Sequence, residues 1–121
     1  EDKKNLIVQV GKNFLANAIL NTSSTPFNAI ALGKGTTAAA ISNTTLQTET
    51  YRTTFDSATT ANNVVTLVKN FLPGVATGPI SEAGIFNNAT SGGTMLSHIV
   101  FTTIGKQDQD RLLLTWTITV N

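Results

Sequence analysis

Cysteine is absent and histidine occurs once, which removes disulfides, thiolate nucleophiles, zinc ribbons and most histidine-based metal sites. Charge is scarce as well. Only 12% of the residues are Asp, Glu, Lys or Arg, where an ordinary soluble domain carries about 25%. Eight Lys and Arg against seven Asp and Glu leave a formal net charge of +1, far from the basic excess of a phosphate-neutralising surface, so no nucleic-acid partner is expected even at a sequence pI of about 8.4. No apolar run approaches the roughly 18 to 20 residues of a membrane span. The opening Glu1-Asp2-Lys3-Lys4-Asn5 does not resemble a signal peptide's basic stretch and apolar core. The chain therefore reads as soluble, with no membrane partner. Glu1 in place of an initiator Met leaves room for a processed start, so the compartment stays open. Together these absences speak against most enzymes and against any cofactor.

What fills the place of charge is Thr, Asn, Ser and Ala, with 21 Thr and 12 Asn among 121 residues. Threonine favours strands and asparagine favours turns. Hydrophobic residues make up 40% of the chain and the mean hydropathy is +0.08, which excludes intrinsic disorder. A mass of 12.8 kDa allows one domain, residues 1–121. A β-rich surface solvated by hydroxyls and amides has little charge repulsion to keep copies apart, so it suits packed assemblies.

Along the chain, Leu6 to Val10 is a short apolar run, and residues 1–10 are expected to form a first strand or a docking arm that adds to a partner's sheet edge. Phe14, Leu15, Ala18 and Ile19 share a face at helical spacing, predicting a helix from Lys12 to Leu20 that ends in Asn21 to Pro26. Phe27 to Leu32 is apolar on both alternating faces and predicts a strand covered on both sides. Gly33-Lys34-Gly35 stops it. Thr36 to Thr45 reads as a loop leading to a short turn at Leu46 to Thr50. Strands are predicted at Tyr51 to Ser57 and Asn63 to Phe71, joined by Ala58 to Asn62. After the Pro73-Gly74 and Gly78-Pro79 break, Ile80 to Phe86 and Thr94 to Phe101 flank the turn-forming Asn87 to Gly93 as a hairpin. The final strand alternates cleanly, with Leu112, Leu114, Trp116, Ile118 and Val120 against Leu113, Thr115, Thr117 and Thr119. Gly105 to Asp110 is the turn before it.

The expected fold is mainly β: an antiparallel β-sandwich or small barrel with one N-terminal α-helix. Phe14, Phe27, Phe71, Phe86, Phe101 and Trp116 are the core candidates.

The chemistry-bearing residues point to architecture. Gly33-Lys34-Gly35-Thr36-Thr37 lacks the spacing of a phosphate loop and is read as a tight turn in which glycine supplies positive φ, with Lys34 solvated. His98 has Glu49, Asp56 and Glu82 as possible companions and Ser81 or Ser97 as nominal nucleophiles, but no local spacing links them, so His98 is read as structural. Arg52 and Glu82 are lone charges in apolar strands. A pair of Arg52 with Glu82 or Glu49 would fix register, with no catalytic role, since a carboxylate held by guanidinium is poorly basic. Asn21, Asn43 and Asn88 each open a glycosylation acceptor pattern, which chance supplies readily in a chain rich in Asn and Thr.

Three segments, taken in order, carry a resemblance: Asn28 to Gly35, ending in Gly33-Lys34-Gly35; Leu46-Gln47-Thr48-Glu49-Thr50-Tyr51-Arg52; and Ile80-Ser81-Glu82-Ala83-Gly84-Ile85-Phe86 followed by Gly93-Thr94-Met95-Leu96. Their order resembles small structural virion proteins of tailed bacteriophages and, more distantly, the amino-terminal attachment module of the tail-collar fibre family. The resemblance implies a non-enzymatic structural role in a virion assembled in the host cytoplasm. It also implies self-association as a homotrimer or higher oligomer, and a virion partner: a tail or baseplate adaptor or, for a capsid decoration protein, the major capsid protein. With Asn121 as the last residue, a module without shaft or receptor-binding tip is expected. The expected structural residues are Gly33, Gly35, Arg52, Glu82, Gly84 and Trp116, with no catalytic, metal or cofactor-binding residue. A third reading, a carbohydrate-binding module, requires Trp116 or Tyr51 exposed for sugar stacking.

Overall fold

In the computed structural model, which describes residues 5–20 and 25–121, side-chain alternation along the strands resolves into two separate antiparallel sheets. Of the described residues 49% are in strands and 9% in helix. The elements are β1 (Leu6–Ile7), α1 (Gln9–Ala18), β2 (Ala29–Gly33), β3 (Glu49–Thr54), β4 (Ser57–Ala61), β5 (Val64–Phe71), β6 (Gly78–Phe86), β7 (Met95–Lys106) and β8 (Leu112–Thr119). One sheet has the order β1-β7-β6-β2-β3 and the other β4-β5-β8. The sheets do not close into a barrel, so the sandwich alternative holds.

The main core lies between the sheets. Ile30 and Leu32 of β2, Ile80, Ala83 and Ile85 of β6 and Leu96 of β7 meet Leu67 and Phe71 of β5 and Trp116 of β8. In β8 the alternation predicted from sequence holds for Leu112, Leu114, Trp116 and Ile118, which turn inward, and for Leu113 and the three threonines, which are exposed; Val120, expected on the inward face, lies beyond the strand and is exposed. The opposite face of the larger sheet is also covered. Ala29 and Ala31 of β2, Phe86 and Met95 join Val8 and Leu46 in a second cluster under α1 and the long segment 34–48. Burial of β2 at every position follows from this double cover.

Several boundaries differ from expectation. The helix starts three residues earlier than Lys12, because Gly11 lets it lie on β7: a Cβ there would sit 2.6 Å from the Leu96 carbonyl. Only Leu6–Ile7 of the first apolar run is strand, and it pairs with the chain's own β7 at His98 and Ser97. Ala58 to Asn62 is not a connection. Ser57–Ala61 forms β4, an exposed strand of small and hydroxylated residues whose outward face offered no apolar alternation to read, and Asn62 at φ 55° makes the turn into β5. Glu49 and Thr50, expected in a turn, open β3, and β7 runs on to Lys106. The Asn21 acceptor pattern and part of the predicted helix end lie outside the described residues. Among the core candidates, Phe71, Phe86 and Trp116 are buried, whereas Phe14, Phe27 and Phe101 are half-buried, with Phe14 and Phe27 edge to face at 4.9 Å.

Candidate functional site

Glu82 is the centre of the most polar buried cluster, and a register irregularity puts it there. Between Ile80 and Glu82 the pairing of β6 with β7 slips, with Ile80 opposite Ile104 and Glu82 opposite Val100. The slip changes which alternate residues face the main core, so that Ile80, Ala83 and Ile85 all point into it. Consecutive Ser81 and Glu82 then both address Gly35: Ser81 Oγ donates to the Gly35 carbonyl at 2.7 Å, and Glu82 Oε2 accepts from the Gly35 N–H at 2.9 Å.

The carboxylate closes the segment 34–48 onto the sheet. Glu82 Oε2 also accepts from the Thr48 N–H at 2.8 Å, and Oε1 accepts from the Gln47 N–H at 2.9 Å and faces His98 Nε2 at 2.9 Å. Both ends of the segment are thus tied to one side chain, as in a compact Ω-loop. Lys34 N–H to Thr48 O at 3.0 Å and the Gln47 amide on both backbone groups of Thr37 complete the neck. At its far end the loop reaches α1, where the Ile41 carbonyl accepts from the Gln9 N–H at 2.8 Å. That bond serves a helix start with no side-chain cap.

His98 is fully buried, and both ring nitrogens are engaged. Asn43 Oδ1 already accepts from the Ala40 N–H at 2.8 Å, which fixes it as an acceptor, so His98 Nδ1 donates to it at 2.8 Å. On the other side Nε2 meets the Glu82 carboxylate, and neither side chain of this contact is exposed. Burial pushes the Glu82 carboxyl up, but the Thr48 and Gln47 N–H groups, the His98 ring and the Gly35 N–H outweigh it, holding its pKa below the ordinary 4.5.

Arg52 lies beside this cluster and holds the hairpin tip. Its guanidinium makes a bidentate pair with Glu49, 3.0 Å from Nε and 2.7 Å from one terminal nitrogen. The other terminal nitrogen donates to the carbonyls of Asn88 and Gly92 at 3.0 and 2.7 Å, and the guanidinium carbon stands 3.9 Å from the Phe86 ring centroid. Of the two partners expected for Arg52, Glu49 is therefore the one used. Glu82 is drawn away because three backbone N–H groups and His98 converge on it from the other side of the loop neck.

The glycines serve close approach. Gly33 and Gly35 have no positive φ, contrary to the tight-turn expectation; the positive-φ glycines are Gly74, Gly78, Gly92 and Gly93. A Cβ at Gly33 or Gly35 would stand 2.6 Å from Glu82 Oε2, and one at Gly84 would stand 2.9 Å from Leu46. Lys34 between them is exposed, as expected. Trp116 is 5% exposed and belongs to the core, so its ring presents no face for sugar stacking, and Tyr51 is half-buried with its ring packed at a steep angle on Phe71. Ser97 Oγ donates to the Leu6 carbonyl at 2.9 Å, and Asp56 pairs with Lys69 at 3.0 Å on the other sheet.

The roles of Gln47 and Asn43 were not legible, because both act through backbone or single-atom contacts. For Glu82 with His98 a signal existed: folding the hairpin about residues 87–93 sets Glu82 opposite residues near His98. Among the described residues no group of three or more His, Asp or Glu is placed to hold a metal ion, and no helix is long and apolar enough to cross a membrane. No protein-family model matches the chain, and no curated protein matches it.

Proposed function

We propose that the chain is a non-enzymatic structural component of a tailed-phage virion, a self-associating attachment module of the tail or baseplate. One observation carries the reading. The three segments behind the resemblance meet in space and are spent on architecture: Gly35, Gln47, Thr48 and His98 close on Glu82, and Arg52 joins Glu49 to Phe86 and the 87–93 tip. Groups that resemble chemistry in the sequence are consumed in shaping one loop and one hairpin tip. The low charge and exposed Leu113, Ile104 and Leu15 support a life packed against other subunits.

Mass spectrometry and imaging of purified particles test the proposal. The protein is expected in stoichiometric amounts, with density at the tail. Density on the outer capsid surface would transfer it to capsid decoration, and absence from particles would remove the virion reading.

A further inference from the structure

One carboxylate closes both ends of segment 34–48. Glu82 Oε2 accepts from the Gly35 and Thr48 N–H groups, and Oε1 accepts from the Gln47 N–H and faces His98 Nε2. Each oxygen thus has two partners and no lone pair to spare. His98 carries the hold further, because its Nδ1 reaches Asn43 in the middle of the segment. Among the described residues, the other hydrogen bonds from the segment to the rest of the domain are Ser81 Oγ to the Gly35 carbonyl and the Gln9 N–H to the Ile41 carbonyl.

Apolar anchorage of the segment is slight. Of residues 34–48 only Gly35 and Leu46 are buried, and Leu46 lies in the cluster with Ala29, Ala31, Phe86 and Met95. The main core between the sheets is built without any residue of the segment. A stretch with few buried apolar contacts sits at the low-stability end of a structure and can open while the rest stays folded.

The carboxylate that holds this stretch is titratable. A proton on either oxygen of Glu82 sets an O–H against a backbone N–H that donates there. Burial raises the carboxyl's pKa, but the Thr48 and Gln47 N–H groups, His98 and the Gly35 N–H outweigh it and keep the folded value below the ordinary 4.5. The closed arrangement is therefore fully favoured above 4.5 and loses ground as pH falls through the folded value. Of the charged or titratable residues on the elements around Glu82, only His98 of β7 faces it. Lys34 of the segment and Lys12 of α1 are exposed, Glu49 and Arg52 of β3 are paired with each other, Tyr51 packs on Phe71, and Lys106 at the far end of β7 donates to the Leu72 carbonyl.

We propose that segment 34–48 is an acid-released strap: protonation of Glu82 frees its two ends while both sheets stay paired, uncovering Ala29, Ala31, Phe86 and Met95 on the larger sheet. The device belongs to the chain by itself and operates whether or not the chain is a virion component.

Amide exchange of the full chain, expressed as protection factors over a pH series, reads the release. The Gly35, Gln47 and Thr48 amides are expected to lose about tenfold in protection per pH unit as pH falls from 4.5 toward the folded value, one proton being taken up per opening. The Leu67 and Trp116 amides, paired between β5 and β8, should keep theirs. Glu82→Gln is expected to leave the strap amides weakly protected at neutral pH and indifferent to acid. Asp56→Asn, which removes the other carboxylate held below its ordinary value, should respond as the unsubstituted chain does. If Glu82→Gln does not fold, the profile of the unsubstituted chain decides alone. Strap amides that keep their protection in acid, or lose it only together with Leu67 and Trp116, overturn the strap. A loss already complete above 4.5 would move the sensor to His98, and one abolished in Asp56→Asn would move it to Asp56; either overturns the assignment to Glu82.

Discussion

Glu82 is fully buried, and its carboxylate gathers three backbone N–H groups and the His98 ring, so its ionised form is part of the fold. Glu82→Gln keeps the shape but turns an amide N–H₂ toward donors, breaking a buried pair, and is expected to lower unfolding free energy by about 3–5 kcal/mol. Urea denaturation followed through the single Trp116 measures this. Because the folded pKa is depressed, Glu82 contributes fully above its ordinary 4.5 and loses that contribution as pH falls through the folded value. The urea midpoint should fall in acid below that value, and less steeply in Glu82→Gln. Some slope will persist there, since the Asn70 N–H and then the Lys69 ammonium hold exposed Asp56 below its ordinary 3.8. Gly33→Ala tests the cradle from the other side. Its Cβ would press on Glu82 Oε2 and the Thr48 carbonyl, with an expected loss of about 1–3 kcal/mol in the same assay.

Elements in this domain are placed by backbone proximity as much as by propensity. Alanine ordinarily stabilises a helix interior over glycine by about 1 kcal/mol. At Gly11 the sign should reverse, because the added Cβ would lie 2.6 Å from the Leu96 carbonyl and 2.8 Å from Leu96 Cα, backbone atoms of β7 that cannot rotate away. Thermal unfolding of Gly11→Ala is expected at a lower midpoint. The β6–β7 hairpin tip depends on Arg52 in a similar way. Lysine cannot reproduce the fork to Glu49 and the two carbonyls, so Arg52→Lys should cost about 1–3 kcal/mol and speed amide exchange selectively in residues 87–94. Sequence patterns serve unevenly at this scale. Leu112 to Thr119 alternates with one face buried and is readable residue by residue, whereas Ser57 to Ala61 is wholly exposed and carries no pattern that separates strand from turn.

At the scale of the whole molecule, the polar cluster ties distant parts of the chain into one unit. Glu82 links β6 to the neck of segment 34–48, His98 links β7 to Asn43 in the same loop, and Ile41 reaches the start of α1. Loop and helix together cover the face of the larger sheet that the smaller sheet leaves open. Pairings such as β2 with β6 and β5 with β8 join residues far apart in sequence. Refolding is accordingly expected on the millisecond-to-second scale of all-β sandwiches, read by stopped-flow Trp116 fluorescence. Microsecond refolding would contradict a transition state built on these non-local pairs.

The sequence by itself determined the class of the molecule. Scarce charge, abundant Thr and alternating apolar residues specify a mainly β fold with one short helix, because burial of alternate side chains needs only local periodicity. It also marked Gly33, Gly35, Arg52, Glu82 and Gly84 as residues of architecture. The tertiary structure decided what each one does. Whether Arg52 takes Glu49 or Glu82, and why Gly33 must be glycine without a positive φ, depend on a slip in register between β6 and β7 and on backbone brought together across the fold. Hydrogen bonds and steric contacts act over about 3 Å between residues tens of positions apart, a distance that no local pattern in a chain encodes.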